Sequence, residues 1–163
     1  MVVLIVLVVI ILLVAGATLV FWNRNTPLVI PEVQSRLAVL DNALGSGFYD
    51  PAFHPYMTSL HQRLSDIQII SDTTSYTVDK QRIALCLSSD NQMHSTNLVM
   101  YVLLHELAHI ACPEVGHTPL FRDIFVALLQ TSVAIGIYTP VNYQAAPERY
   151  CGMVLYDNLL QLP

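Results

Sequence analysis

"YVLLHELAHIACPEVGHTPLFRDIF", residues 101–125, carries three of the chain's six histidines. His105 and His109 stand four apart, and Glu106 follows the first directly. On an α-helix, positions four apart share a face one turn apart, so both imidazoles can reach one ion. Glu106 is rotated about 100° from His105 around the axis. That places it poorly as a ligand to the same ion but well for reaching a water on it. The H-E-x-x-H string is built on this chemistry. Zn²⁺ accepts imidazole nitrogen and brings the pKa of a bound water to around 7, and a nearby carboxylate moves the proton. The same five letters also occur by chance in core helices whose histidines are satisfied by hydrogen bonds. The flanks argue for the metal: Tyr101 to Leu104 and Ile110 to Cys112 are all uncharged. Two imidazoles and a carboxylate on a buried helix need a partner, and lacking one costs several kcal/mol.

A third protein ligand is needed, with the fourth position left to water. His117 is the first choice. Pro113 ends the helix, and Gly116 permits a tight turn that brings the chain back. Glu114 and Asp123 are the rivals for that place. Cys112, three residues after His109, is read as a small buried apolar residue. His54, His61 and His94 lack partner spacing and are read as surface or loop residues.

Working outward, residues 96–111 form a nearly all-apolar, hence buried, helix, capped by Ser95 or Thr96. Asn97, Tyr101, His105 and His109 stack along one stripe of it. Thr118 as cap and Pro119 in the first turn open a further helix reaching about Ile135. Upstream, Val33, Leu37, Leu40 and Leu44 recur at helical spacing, closed by Gly45 and Gly47. "YMTSLHQRLSD" is a second, short helix. Residues 67–70, 75–78 and 82–87 are β-prone, with "SYTV" and "RIALCL" as the two arms of a hairpin. "SSDNQMHS" is a polar turn region. The tail from residue 139 is read as irregular, with at most a last helical turn.

The first 22 residues, "MVVLIVLVVIILLVAGATLVFW", carry no charge. About 20 such residues in a helix span about 30 Å, the bilayer's hydrocarbon thickness. A cleaved signal peptide is the alternative, but the stretch opens without Lys or Arg and the apolar run continues past "AGA". The expected organisation is a transmembrane anchor over 1–22, a linker over 23–30 and one domain over 31–163. The net charge of −5 falls entirely on the part after the anchor, and the seven basic residues are scattered. No nucleic-acid partner is therefore expected. Three cysteines without a CxxC pair suit reduced thiols. With Arg24 after the span, they place the domain on the cytosolic or virion-interior side.

"HELAH", a short break, "GH" and a helix opening "TPLFRDIF" resemble the WLM and SprT-like zinc metallopeptidases. The resemblance covers about residues 75–135. It implies His105, His109 and His117 as zinc ligands, Glu106 as the catalytic base, and an aromatic residue behind the site at Phe121 or Phe125. It also implies a minimal zincin-like α+β domain with a small antiparallel sheet, and a peptide laid against a sheet edge, for which "RIALCL" is the candidate. The N-terminal span and "YCGM" near the C-terminus are further similar to membrane-anchored predicted metallopeptidases of large DNA viruses. The DNA-binding parts of WLM and SprT-like proteases are missing from this chain, so their substrates do not carry over. Tyr138, Tyr143, Tyr150 and Arg149 are candidates for stabilising the transition state. The expected function is a membrane-anchored zinc metallopeptidase acting on a peptide or protein substrate. The rivals are an inactive zinc-binding structural or virion membrane protein and a metal-free helical anchor protein.

Overall fold

The computed structural model describes residues 29–163. The expected anchor and most of the linker lie outside the described residues. Among the described residues no helix is long and apolar enough to cross a membrane.

Two helices come first in the described chain. Helix α1 (Val29–Gly45) buries Val33, Leu40 and Leu44, while α2 (His54–Leu64) buries Met57, Leu60 and Leu64. Both are amphipathic at helical period, and they pack on each other and on α3. Arg36 of α1 donates to the Ile137 carbonyl (2.8 Å) and to Glu32 (2.6 Å). Glu32 in turn accepts from Thr96 (2.7 Å), which ties α1 to the start of α3.

Strands β1 (Gln68–Asp72), β2 (Tyr76–Val78) and β3 (Arg82–Cys86) make a sheet ordered β1-β3-β2. The β2–β3 hairpin is antiparallel, with Thr77 opposite Ile83, as expected. β1, however, runs parallel to β3, with Ile69 opposite Ile83, so the sheet is mixed rather than purely antiparallel. "RIALCL" is also not an edge, because β3 is the central strand. The cause is burial. Ile83 to Cys86 are all buried, whereas β1 and β2 stay largely exposed. A continuous apolar strand takes the position covered on both sides, and its two partially polar neighbours become the edges.

The polar segment after β3 forms a small hairpin of β4 (Ser88–Ser89) and β5 (Gln92–Met93). Asp90 and Asn91 both take positive φ, the conformation a two-residue hairpin turn demands. Helix α3 (Thr96–Ala111) follows, and the Ser95 side chain accepts from Leu98 N (3.2 Å) as its cap. Leu103, Leu104, Leu107 and Ala108 of α3 are fully buried, and this helix is the centre of the core. Helix α4 (Pro119–Ala134) packs along it, buried through Phe121, Ile124, Phe125 and Leu128.

The tail is not irregular. Strands β6 (Glu148–Tyr150) and β7 (Met153–Leu155) form a hairpin turning at Cys151 and Gly152, both at positive φ. It escapes periodicity because each strand has only three residues. Cys151 is bonded to Cys86 at the end of β3, which corrects the expectation of reduced thiols. Only Cys112 is free, and it is buried. Among the described residues the fold is thus a mixed α+β arrangement of four α-helices and small sheets.

Candidate metal centre

The polar stripe on α3 divides into two halves. Asn97 exchanges two hydrogen bonds with Thr139 (2.9 and 2.8 Å), and the Tyr101 hydroxyl donates to Asp157 (2.6 Å). These two residues moor the C-terminal segment. His105 and His109, one and two turns further on, face the loop that returns from Pro113.

That loop carries His117 back to the helix. His117 Nε2 lies 3.0 Å from His105 Nε2 and 3.2 Å from His109 Nε2. The three ring centroids form a triangle with every side 4.9 Å. Three nitrogens at about 2.0–2.1 Å from one tetrahedral zinc would stand about 3.3 Å apart. The set therefore fits a divalent ion closely, and His105, His109 and His117 could hold one. Gly116 (φ +84) supplies the left-handed residue before His117. Thr118, capping α4 by accepting from Phe121 N (3.2 Å), fixes the residue after it. Of the two rival ligands, Glu114 lies on the cleft lining but outside the triad, and Asp123 sits on the exposed side of α4.

Phe121 backs the whole triad. Its ring stacks on His109 (4.2 Å) and meets His105 (5.0 Å) and His117 (4.9 Å), while Phe125 touches His105 alone (5.2 Å). Burial, with His109 and His117 beside it, pushes the His105 imidazole down to about 4. Burial also lowers His109, aided by His117 and Lys80.

Glu106 is buried, with one carboxylate oxygen, Oε2, accepting from Thr77 Oγ1 at 2.6 Å. Burial pushes its pKa up, against that hydrogen bond, which lowers it. Thr77 was not singled out in the sequence. The only signal for it is its place in the hairpin before the motif. Lys80, another cleft residue not foreseen, donates from Nζ to the Cys112 carbonyl (2.6 Å) and so pins the end of α3 to the β2–β3 turn.

The three histidines, Glu106, Ser75, Tyr76, Thr77 and Lys80 all line one cleft of about 760 Å³, within the range of ligand sites. Val115 and Met153 form an exposed apolar rim. Tyr138, Tyr143, Tyr150 and Arg149 are not among the lining residues. Tyr138 and Tyr143 are buried with Tyr101 in an aromatic cluster. Tyr150 is fully buried, its hydroxyl 2.7 Å from both the Cys86 carbonyl and Ser75 Oγ. Arg149 is exposed on β6. The other histidines differ among themselves. His54 begins α2 with its Nδ1 2.9 Å from the Tyr49 hydroxyl, and His61 pairs with Asp41 (2.7 Å). His94 lies in the loop between β5 and α3, as expected, but is partly buried against the disulfide.

No protein-family model matches the chain, and no solved structure matches it. Curated relatives do. The chain is 41% identical over 142 residues to "Uncharacterized protein R325" of Acanthamoeba polyphaga mimivirus, covering 82% of this chain and 72% of that one. It is 36% identical over 117 residues to "Uncharacterized protein 042R" of Invertebrate iridescent virus 3, covering 68% of this chain and 72% of the relative. Against "Uncharacterized protein 136R" of Invertebrate iridescent virus 6, identity is 35% over 128 residues, or 72% of each chain. With identities of this size over most of its length, the chain belongs to the family of large-DNA-virus proteins that includes R325, 042R and 136R.

Proposed function

We propose that this protein is a membrane-anchored zinc metallopeptidase with a zincin-like catalytic domain of the WLM and SprT-like type. One observation carries the reading: three imidazole Nε2 atoms converge in the cleft that also holds the buried carboxylate of Glu106. His105, His109 and His117 would hold the ion. Zinc, when bound there, supplies the Lewis acidity that acidifies a water and polarises a peptide carbonyl.

The chain's own residues do the rest. Glu106 takes the proton of the attacking water and delivers it to the leaving nitrogen. Thr77 holds Oε2 and leaves Oε1 for the water. β2 pairs only with β3 among the described strands, and its residues Tyr76 and Thr77 line the cleft. An extended peptide adding alongside β2 would present its backbone to the triad. The edge that serves this purpose is β2, not the "RIALCL" strand. Val115 and Met153 at the rim favour apolar side chains in that peptide.

The test is zinc content and peptide hydrolysis on the full chain in detergent, comparing wild type with Glu106→Gln and His117→Ala. Wild type should hold zinc and cleave an unstructured protein substrate. Glu106→Gln should hold zinc and not cleave, and His117→Ala should lose both. Full hydrolysis by Glu106→Gln would remove this residue from the mechanism. Zinc without hydrolysis in wild type would leave an inactive zinc-binding domain.

A further inference from the structure

Cys86, His94 and Cys151 form a second three-residue cluster, whose Sγ and Nε2 atoms all lie within 4.8 Å of one another. Nothing in the proposed peptidase chemistry uses them. We propose that this cluster is a redox-gated second metal site: a disulfide when oxidised, and a zinc site ligated by two thiolates and one imidazole when reduced.

The donors are already assembled. His94 Nε2 stands 3.3 Å from Cys151 Sγ. The Ser88 carbonyl oxygen lies 3.3 Å from Cys86 Sγ and 3.9 Å from Cys151 Sγ, an oxygen available as fourth donor beside the two sulfurs and one nitrogen. In the disulfide neither sulfur has a proton to give that carbonyl. Two thiolates on one tetrahedral zinc, each at about 2.3 Å, stand about 3.8 Å apart. The two Cα atoms are 6.4 Å apart, so the sulfurs can separate by side-chain rotation while the backbone stays in place.

The surroundings are built to hold these groups. The His94 ring lies against the Tyr150 ring, centroids 4.8 Å apart. Cys86 N donates to Ser75 Oγ (2.9 Å), Ser75 Oγ meets the Tyr150 hydroxyl (2.7 Å), and that hydroxyl donates to the Cys86 carbonyl (2.7 Å). This closed ring of hydrogen bonds fixes the backbone of one ligand and the residue preceding the other.

The chemistry balances. A dithiol reductant gives two electrons and two protons to the Cys86–Cys151 bond and is itself oxidised to a disulfide. Zinc binding then releases the two thiol protons. Either state clamps the end of β3 to the turn before β7, and so holds Met153 at the cleft rim.

The full chain in detergent is loaded with zinc before and after reduction by a dithiol, and metal per chain is counted. The reduced wild type should bind one zinc more than the oxidised form. His94→Ala, which keeps both cysteines and forms the disulfide when oxidised, should lose that extra ion, as should Cys151→Ser. Cys112→Ser should keep it. Cobalt gives a reading independent of the histidine triad: reduction should bring in thiolate-to-cobalt charge-transfer absorption, which three imidazoles cannot produce. The inference is overturned if reduction adds no zinc and no thiolate absorption, whatever the histidine triad binds.

Discussion

The two triads of this protein invite comparison. The outer members of the His105, His109 and His117 set are twelve positions apart, while those of Cys86, His94 and Cys151 are sixty-five apart. The first is assembled by one helix and the loop that leaves it. The second needs the end of the central strand, the segment before α3 and the turn of a C-terminal hairpin. Both bring three metal-ligating atoms together, but only the first adds a buried carboxylate in an open cleft. In our proposals the same kind of convergence serves chemistry in one place and a clamp in the other.

The sharpest way to break this contrast is Glu106→Gln. General acid–base catalysis contributes roughly 10²–10⁴-fold, so kcat should fall by about that much with zinc content unchanged. His117→Ala should remove the stabilisation that zinc gives the folded chain. At a free zinc concentration about 1,000 times the dissociation constant this is about 4 kcal/mol, read as a lost thermal shift on adding zinc. Cys86→Ser with Cys151→Ser tests the other triad. In the chain-entropy account, a closed loop of this length is worth about 4 kcal/mol, measured by urea unfolding without metal. Hydrolysis should survive in that double variant, because the catalytic carboxylate and its triad do not pass through the clamp. Thr77→Val should leave zinc in place and lower kcat roughly tenfold, about 1.4 kcal/mol, through the lost hydrogen bond to Glu106. The smallest effect belongs to Thr118→Ala. Loss of this cap should cost about 1 kcal/mol of stability and loosen the loop that presents His117. An unchanged melting temperature there would detach the cap from the site.

The sequence by itself determined what local periodicity encodes. The apolar register of α3, the i, i+4 histidines with Glu106 beside them, the Ser95 and Thr118 caps and the Gly116 turn all act within a few residues. Each is a short-range steric or hydrogen-bonding preference, so they place the first triad almost without the rest of the chain. Tertiary structure decided what depends on partners far away. It put β3 between β1 and β2, because only burial on both sides suits Ile83 to Cys86. It committed the Tyr150 hydroxyl to Ser75 and the Cys86 carbonyl, and brought Thr77 to Glu106 across 29 residues. It also joined Cys86 to Cys151, a pairing that no spacing reveals, because closing so long a loop follows from the packing of the whole core rather than from any preference of its neighbours.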